Sequence, residues 1–311
     1  MTKQLKIGYI CIIITTLIWG VDNVLFKDIL NYLTPNLSSF IRFSTVIIVN
    51  SLILLISRKK TEKSLINKDY KKNIILMGIF MLIGYFFIFT GLNMSKATLV
   101  EFINSGLGSL ITVIVLAIFI DKEKNIARNK YAVSALIIAI IGTFFTSNIN
   151  NSLFNFNFDL GVLYVLIGTI AFALYTLYIS KTDHRISVFR INRDLTIVAV
   201  ILMSIICAFT NEFKLLFQID KFILFKTIII SVFVDIIAVA CYYKAIRTIS
   251  GVKSNIFILL CPIITAFVSY FYLGETINSL QLLGCSLLFM SGIIIFVKDY
   301  IDEKNNKEIK L

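Results

Sequence analysis

Four ionisable side chains occur inside apolar runs that are long enough to cross a lipid bilayer: Asp22, Arg42, Glu101 and Asp235. A charge near the middle of a bilayer costs several kcal/mol unless it is paired or hydrated, so such residues commonly mark a solute or ion pathway. Asp235 falls near the middle of an apolar run and has no membrane edge within reach. We therefore expect it to face a central cavity, where its carboxylate could take up a proton or a cationic ligand.

The other three charges allow more than one interpretation. Asp22 and Arg42 lie at similar depth, about 6 to 8 Å from the midplane at 1.5 Å per residue. They are predicted to form an ion pair, which would either fix the packing of two helices or contact a substrate. Glu101 either reaches the membrane interface or lines the same cavity. Asn23 and Asn104 lie within about one helical turn of these acids and are predicted to be neutral hydrogen-bonding groups of the site.

The elements that carry these residues follow from composition. Apolar residues make up 58% of the 311 residues and charged ones only 15%, and the mean hydropathy is +0.89. Soluble domains are less apolar and more highly charged. Apolar runs of about twenty residues favour helices over barrel strands. The prediction is an all-α polytopic membrane protein with ten transmembrane helices, at residues 7–27, 35–57, 73–92, 97–120, 131–147, 160–180, 190–210, 222–243, 252–273 and 279–297.

The chain also contains an internal repeat. Residues 8–147 match residues 161–297 at an offset of 150 to 154, which pairs Arg42 with Arg193 and Gly142 with Gly292. Two copies with an odd number of spans must cross the membrane in opposite directions, as in many secondary transporters. We predict a first five-helix repeat at 1–147, an external linker at 148–159, a second repeat at 160–298 and a cytoplasmic tail at 299–311.

Basic residues predict the orientation. Of the 30 lysines and arginines, 24 fall on one side of the ten predicted spans and five on the other, and Arg42 lies within a span. Cytoplasmic loops carry the excess of basic residues, so both termini are predicted to be cytoplasmic. This topology accounts for the net charge of +12, and no nucleic-acid partner is expected.

Several classes of chemistry have no support in the sequence. The five cysteines lie inside apolar runs without paired spacing, and the single histidine, His184, falls in a predicted loop. There is no phosphate-binding Gly-x-x-x-x-Gly-Lys motif and no His-Glu-x-x-His motif. We expect no metal, no cofactor, no disulfide and no enzymatic activity.

The chain resembles EamA-type members of the drug/metabolite transporter superfamily over its whole length. The residues that carry the resemblance are Trp19-Gly20, Lys27, Arg42, the stretch Leu260-Cys261-Pro262-Ile263-Ile264, Leu273-Gly274-Glu275, Gly284 and Gly292. The first repeat departs from the pattern, because Gly106-Leu107-Gly108-Ser109 replaces the proline-containing stretch. The resemblance implies a multi-pass protein of the bacterial plasma membrane, with hinges at Gly20, Gly108 and Pro262.

The resemblance also implies a cavity formed by helices that include the third, sixth and eighth. Tyr85, Tyr175 and Tyr242 fall on these helices and are candidate binding residues. The expected function is secondary transport by alternating access of a small amine-bearing metabolite, such as an amino acid, a polyamine or a quaternary amine. Similar proteins are often exporters. Proton coupling, a monomeric or homo-oligomeric state, and a lipid-linked substrate flippase remain open, whereas a channel is disfavoured because helices 5, 7 and 10 have little polar lining.

Overall fold

The computed structural model describes residues 3–57, 65–146, 160–274 and 278–308, and this part of the chain is helical, without strands. Ten helices, named in chain order, form the bundle: α1 Lys3–Ile29, α2 Pro35–Ser57, α3 Lys68–Met94, α4 Ala97–Phe119, α5 Lys130–Thr146, α6 Leu160–Ser180, α7 Val188–Phe209, α8 Lys221–Ile249, α9 Gly251–Tyr272 and α10 Ser279–Glu308. Two shorter helices, Asp121–Ala127 and Glu212–Gln218, lie in the connections after α4 and α7.

The helices and the outer surface of the bundle are apolar, as in proteins that span a lipid bilayer. Within the described ranges, nine of the helices are long and apolar enough to cross a membrane. Large apolar side chains such as Ile48 and Phe267 are more than half exposed on its outside, as expected for a lipid-facing surface. The protein is therefore a multi-pass membrane protein. α5, with 17 residues and a rise of about 26 Å, is shorter than the rest, so the tenth span remains a prediction.

The start of α1 and the end of α10 lie at the same end of the bundle, here called the termini end. Tyr9 of α1 donates a hydrogen bond to Asp299 of α10 (Oη–Oδ2 2.6 Å), and Lys253 of α9 donates to the same carboxylate (2.6 Å). Glu123, beyond α4, accepts from the backbone N–H groups of Gly251 and Val252 at 2.9 and 3.0 Å. A carboxylate in this position satisfies amides that the first turn of α9 leaves unpaired.

Different contacts close the opposite end. Lys27 at the end of α1 donates to the carbonyl oxygens of Leu92 and Ser95, at 2.5 and 2.9 Å, where α3 ends and α4 begins. Lys226 of α8 forms an ion pair with Asp28 of α1. α1 begins at the termini end and ends at the opposite end, whereas α4 begins at the opposite end and ends near the termini end, so these helices run in opposite directions.

Two helix pairs approach closely at glycine. A Cβ atom on Gly91 of α3 would lie 2.7 Å from the carbonyl oxygen of Gly161 of α6. A Cβ atom on Gly142 of α5 would lie 3.0 Å from the carbonyl oxygen of Gly284 of α10. Small residues allow such contacts between membrane helices, where van der Waals packing provides much of the association energy.

The predicted division into two repeats, a linker and a tail stays a prediction. The linker 148–159 lies outside the described residues. Residues 299–308 of the predicted cytoplasmic tail continue α10, which ends at Glu308, and the location of the tail stays a prediction. Lys298 and Asp302 form an i,i+4 ion pair there, which supports continued helix beyond the apolar run. Residues 309–311 lie outside the described part.

Candidate functional site

A cavity of ≈ 130 Å³, lined largely by buried side chains, lies between the two halves of the chain. Helices α1 to α4 contribute walls from the first half and α6 to α9 from the second. All eight residues proposed from sequence as substrate-binding line this cavity: Asp22, Asn23, Tyr85, Glu101, Asn104, Tyr175, Asp235 and Tyr242. The structure therefore brings together residues that lie as far apart as α1 and α8.

Arg42 is the centre of a buried charge cluster. Its Nε and Nη2 atoms both donate to Asp235, each at 2.7 Å. Its Nη1 and Nη2 atoms donate to Asp22, at 3.1 and 3.3 Å. The guanidinium group is fully buried and uses all three nitrogens, which is the forked geometry that arginine offers to carboxylates.

Aromatic rings enclose the same guanidinium. Its Cζ atom lies 4.7 Å from the ring centre of Phe26, 5.2 Å from Phe89 and 5.3 Å from Tyr85. Phe26 and Phe89 stack on each other with their centroids 4.1 Å apart. These rings hold the cation by their quadrupoles and exclude water, so the charge pairs act in a medium of low dielectric constant.

The structure corrects one assumption about Asp235. The sequence places it alone in an apolar run, but the carboxylate binds Arg42 and also accepts a hydrogen bond from the Tyr85 hydroxyl at 2.5 Å. Arg42 lies 193 positions away in sequence and on a different helix, so local sequence could not reveal the contact. Arg42 consequently joins α1, α2 and α8, where sequence predicted a pair between the first two helices alone.

Glu101 has a different environment. Its side chain is 1% exposed, and its Oε2 atom accepts a hydrogen bond from Asn23. Its Oε1 atom is buried and has no hydrogen-bond partner, and no cation in the described part of the chain forms a salt bridge with this carboxylate. Glu101 therefore lines the cavity and does not reach the membrane interface, which resolves the two options left open by sequence.

Two helices widen into π-helical turns beside the cavity acids. One runs from Phe102 to Leu107 in α4, directly after Glu101, and the other from Val232 to Ala238 in α8, around Asp235. Such turns occur frequently at functional sites. In α8 the backbone carbonyl of Asp235 accepts from Asn192 of α7 at 2.8 Å, and that of Ala238 accepts from Thr15 of α1 at 3.1 Å. Side chains of neighbouring helices thus satisfy the irregular backbone inside the membrane, as lipid could not.

The three predicted hinge positions have different surroundings. α9 is interrupted at Leu259 and Leu260, just before Pro262, and Gly108 directly follows the widened turn of α4. By contrast, α1 passes through Gly20 without interruption. A Cβ atom on Gly20 would lie 2.7 Å from Ile264 Cβ and 3.0 Å from the carbonyl oxygen of Cys261, so glycine allows close packing of α1 on α9 there.

The part of the cavity nearer the termini end is polar but carries no charge. The hydroxyls of Tyr175 and Tyr243 lie 2.7 Å apart, and the amide of Asn255 donates to the hydroxyl of Tyr242 at 3.1 Å. Thr176 lies 3.5 Å from the same Tyr242 hydroxyl. These neutral groups satisfy one another across α6, α8 and α9, so this part of the cavity can hold polar but uncharged parts of a solute.

Other lining residues were not among the predicted binding residues. They include Trp19, Thr112, Thr169, Phe172, Asn192 and Asn255. Helical spacing offered a usable signal for some of them: Trp19 lies one turn before Asn23 on the same face of α1, and Thr169, Phe172 and Thr176 share a face of α6. Asn192 and Asn255 gave no such signal, because each lies near a helix end among other polar residues.

The described residues contain no group of three or more histidine, cysteine or acidic side chains that could hold a metal ion. The site is therefore an acid-rich, aromatic-walled cavity inside a membrane-spanning bundle. It can hold a small cationic or zwitterionic solute, or a proton.

Comparison with known proteins gives a consistent result. A model of the EamA-like transporter family matches residues 6–148 and again residues 159–297. The uncharacterized transporter YoaV of Bacillus subtilis is 25% identical over 297 residues, which cover 91% of this chain and 94% of that protein. An uncharacterized transporter of Haemophilus influenzae is 24% identical over 237 residues, 76% and 75% of the two chains.

A solved structure shares the fold. It superimposes with a TM-score of 0.68 at 13% identity and covers 94% of this chain and 96% of its own. At that identity the likeness supports the fold alone. The family match covers most of the chain, and the relatives bear transporter names, which fits the membrane-length helices around an internal cavity and does not fit an enzyme. The chain belongs to the EamA-like transporter family and is a membrane transporter.

Proposed function

We propose that this protein is a secondary transporter that carries a small amine-bearing solute by alternating access, coupled to protons. The observation that carries the proposal is the charge of the cavity. Three carboxylates, from Asp22, Glu101 and Asp235, line it against the single guanidinium of Arg42. A buried excess of acid stabilises a cationic ligand or a bound proton and disfavours an anion.

The walls support the same class of solute. Trp19 and Tyr242 lie with their ring centroids 4.9 Å apart at one side of the cavity, and Tyr85 and Phe172 lie 5.4 Å apart at another. Aromatic faces attract cations, and the effect increases where water is excluded. A cavity of ≈ 130 Å³ suits a metabolite-sized solute.

The arrangement of helices supports alternating access. α1 begins at the termini end, whereas α6, which occupies the corresponding place in the second half, ends there. This is the relation that an inverted repeat requires. The irregular turns of α4 and α9 lie at equivalent positions of the two halves, at an offset of 152 between Leu107 and Leu259. We infer that the two halves move relative to each other about these turns.

We further propose that the protein lies in the bacterial plasma membrane with both termini cytoplasmic. The 24 to 5 distribution of basic residues supports this orientation. Membrane-impermeant thiol labelling of intact cells should modify Asn151→Cys and should not modify Lys63→Cys; both positions lie outside the described residues. Labelling of Lys63→Cys together with protection of Asn151→Cys would show that the protein has the opposite orientation in the membrane.

Transport itself is tested in proteoliposomes. Vesicles preloaded with an unlabelled amine should take up the labelled form of that amine by counterflow. An imposed pH gradient should drive accumulation of the labelled amine. The panel contains basic and neutral amino acids, spermidine and choline, with succinate as the anionic control. Saturable uptake of succinate without uptake of any amine would contradict the proposal, and non-saturable flux without counterflow would indicate a channel.

A further inference from the structure

The two sets of carboxylates in the cavity are not equivalent. Arg42 neutralises part of the charge of Asp22 and Asp235 by four hydrogen bonds, and the Tyr85 hydroxyl adds a fifth on Asp235. A solute that displaced these contacts would have to break a buried ion pair, which is strongly unfavourable. The cluster is therefore poorly suited to release and rebind a cation in each cycle.

Glu101 has the features that the cluster lacks. Its carboxylate is buried, its polar neighbours Asn23 and Ser105 are both neutral, and no hydrogen bond of normal geometry reaches its Oε1 atom. An ionised carboxylate in that position has lost its hydration without a compensating positive charge, which costs several kcal/mol. It can recover this free energy by binding a proton or a cationic group that enters the cavity.

The neighbouring walls fit a cation at this point. Asn23, which holds Glu101, lies one turn after Trp19 on the cavity face of α1, and Trp19 packs against Tyr242. A cation bound to Glu101 therefore lies close to aromatic rings. The groups that face Glu101 from other helices are the Asp22 carboxylate of α1 and the Cys261 thiol of α9, and neither supplies a positive charge.

We propose that Glu101 is the group that binds the ammonium of the substrate, and that a proton and a primary or secondary ammonium compete for its Oε1 atom. This assignment rests on the proposed function and specifies it. The unpartnered oxygen requires a hydrogen-bond donor, which an N–H-bearing ammonium provides and a quaternary ammonium does not. When the ammonium binds, the proton leaves Glu101 for solvent, so the charge of the site is the same in both states. Quaternary amines are accordingly excluded from the preferred substrates.

Trp19 provides the readout. It is the single tryptophan of the chain and it lines the cavity, so its fluorescence reports ligands bound there. Purified full-length protein in detergent is titrated with methylammonium and with tetramethylammonium at several pH values. We expect a saturable methylammonium response that weakens as the pH falls. Methylammonium should bind Glu101→Gln about 10- to 100-fold more weakly than it binds the wild type, as for a lost hydrogen bond to a charged group. Tetramethylammonium should bind the wild type more weakly than methylammonium does, by the same factor.

Two variants serve as controls. Glu212→Gln makes the same substitution at a carboxylate outside the cavity, which accepts hydrogen bonds from Thr34 and Asn36 at the end of the bundle away from the termini end. Cys261→Ser removes the other titratable group that faces Glu101 from α9. Both should keep the methylammonium response and its pH dependence. If Glu101→Gln does not fold, infrared difference spectra of the wild-type protein replace it: the C=O band of a protonated carboxylic acid should disappear when methylammonium binds.

The outcomes separate this inference from the proposed function. Four results would each overturn the assignment to Glu101. They are wild-type affinity and pH dependence in Glu101→Gln, equal affinities of the wild type for tetramethylammonium and methylammonium, no response to methylammonium, and no loss of the carboxylic acid band. If one of these results is found and the vesicles still accumulate amine, the transport function holds but Glu101 is not its ammonium site. Methylammonium binding as expected, together with vesicles that transport no amine, would leave Glu101 as a binding site and contradict the transport function.

Discussion

The two parts of the cavity solve the problem of buried polar groups in different ways. In the charged part, one guanidinium compensates Asp22 and Asp235 and leaves the third acid, Glu101, without a cation. In the neutral part, hydroxyls and amides such as those of Tyr175, Tyr243 and Asn255 satisfy one another. The comparison indicates that stability and charge selectivity come from the charged part, whereas the neutral part adapts to the rest of the solute.

The largest effect should follow from loss of Arg42. Arg42→Ala leaves Asp22 and Asp235 buried without their cation, which should destabilise the protein by about 3–5 kcal/mol. Thermal unfolding in detergent and folded yield measure the loss. Arg185→Ala is the control, because its ion pair with Asp183 is exposed and should contribute little. The Arg42→Ala/Asp235→Ala double variant should be more stable than Arg42→Ala, and a double variant without any recovery would show that charge pairing is not the cause.

The three cavity acids should differ in the same assay. Asp235→Asn removes a charged partner of Arg42 with two contacts of 2.7 Å, so a loss of about 1.5–3 kcal/mol is expected. Asp22→Asn should cost less, because its contacts with Arg42 are longer, at 3.1 and 3.3 Å. Glu101→Gln should leave the midpoint of thermal unfolding nearly unchanged, since the protonated acid and the amide are both neutral and no ion pair is lost. A greater loss from Glu101→Gln than from Asp235→Asn would reverse the ranking on which the comparison rests.

A smaller effect is expected in the neutral part. Tyr243→Phe leaves the Tyr175 hydroxyl without its partner at 2.7 Å, which should cost about 0.5–1.5 kcal/mol. Because no charge is involved, the pH dependence of transport should be that of the wild type. Tyr32→Phe, at a residue that is 65% exposed, is the matched control. A displaced pH profile in Tyr243→Phe would show that this part also takes part in proton coupling.

The sequence predicts the helices and the membership of the cavity well, because membrane-length apolar runs and isolated charges are local signals. The bounds of α2 and α6 agree with the predicted spans at both ends. Pairing across the bundle is not local. The Arg42–Asp235 contact and the caps on the widened turn of α8 by Thr15 and Asn192 depend on how distant helices meet.

The hinge positions show the same limit. Proline before a helix interruption is a local signal, and Pro262 lies next to one. Glycine has two uses that sequence cannot tell apart, flexibility and close packing. At Gly20 the neighbouring Ile264 and Cys261 of α9 occupy the space that a side chain would need. Only the packed structure separates the two.

Proton movement during amine transport is the most direct test of competition between a proton and an ammonium group at Glu101. Proteoliposomes are loaded with a pH-sensitive dye and an amine from the transport panel, and the same labelled amine is followed together with the internal pH. We expect an amine gradient to drive protons in the opposite direction, saturably, in wild-type vesicles. Glu101→Gln vesicles should exchange amine without moving protons. Amine transport that moves no protons in the wild type, or undiminished proton movement in Glu101→Gln, would contradict this competition.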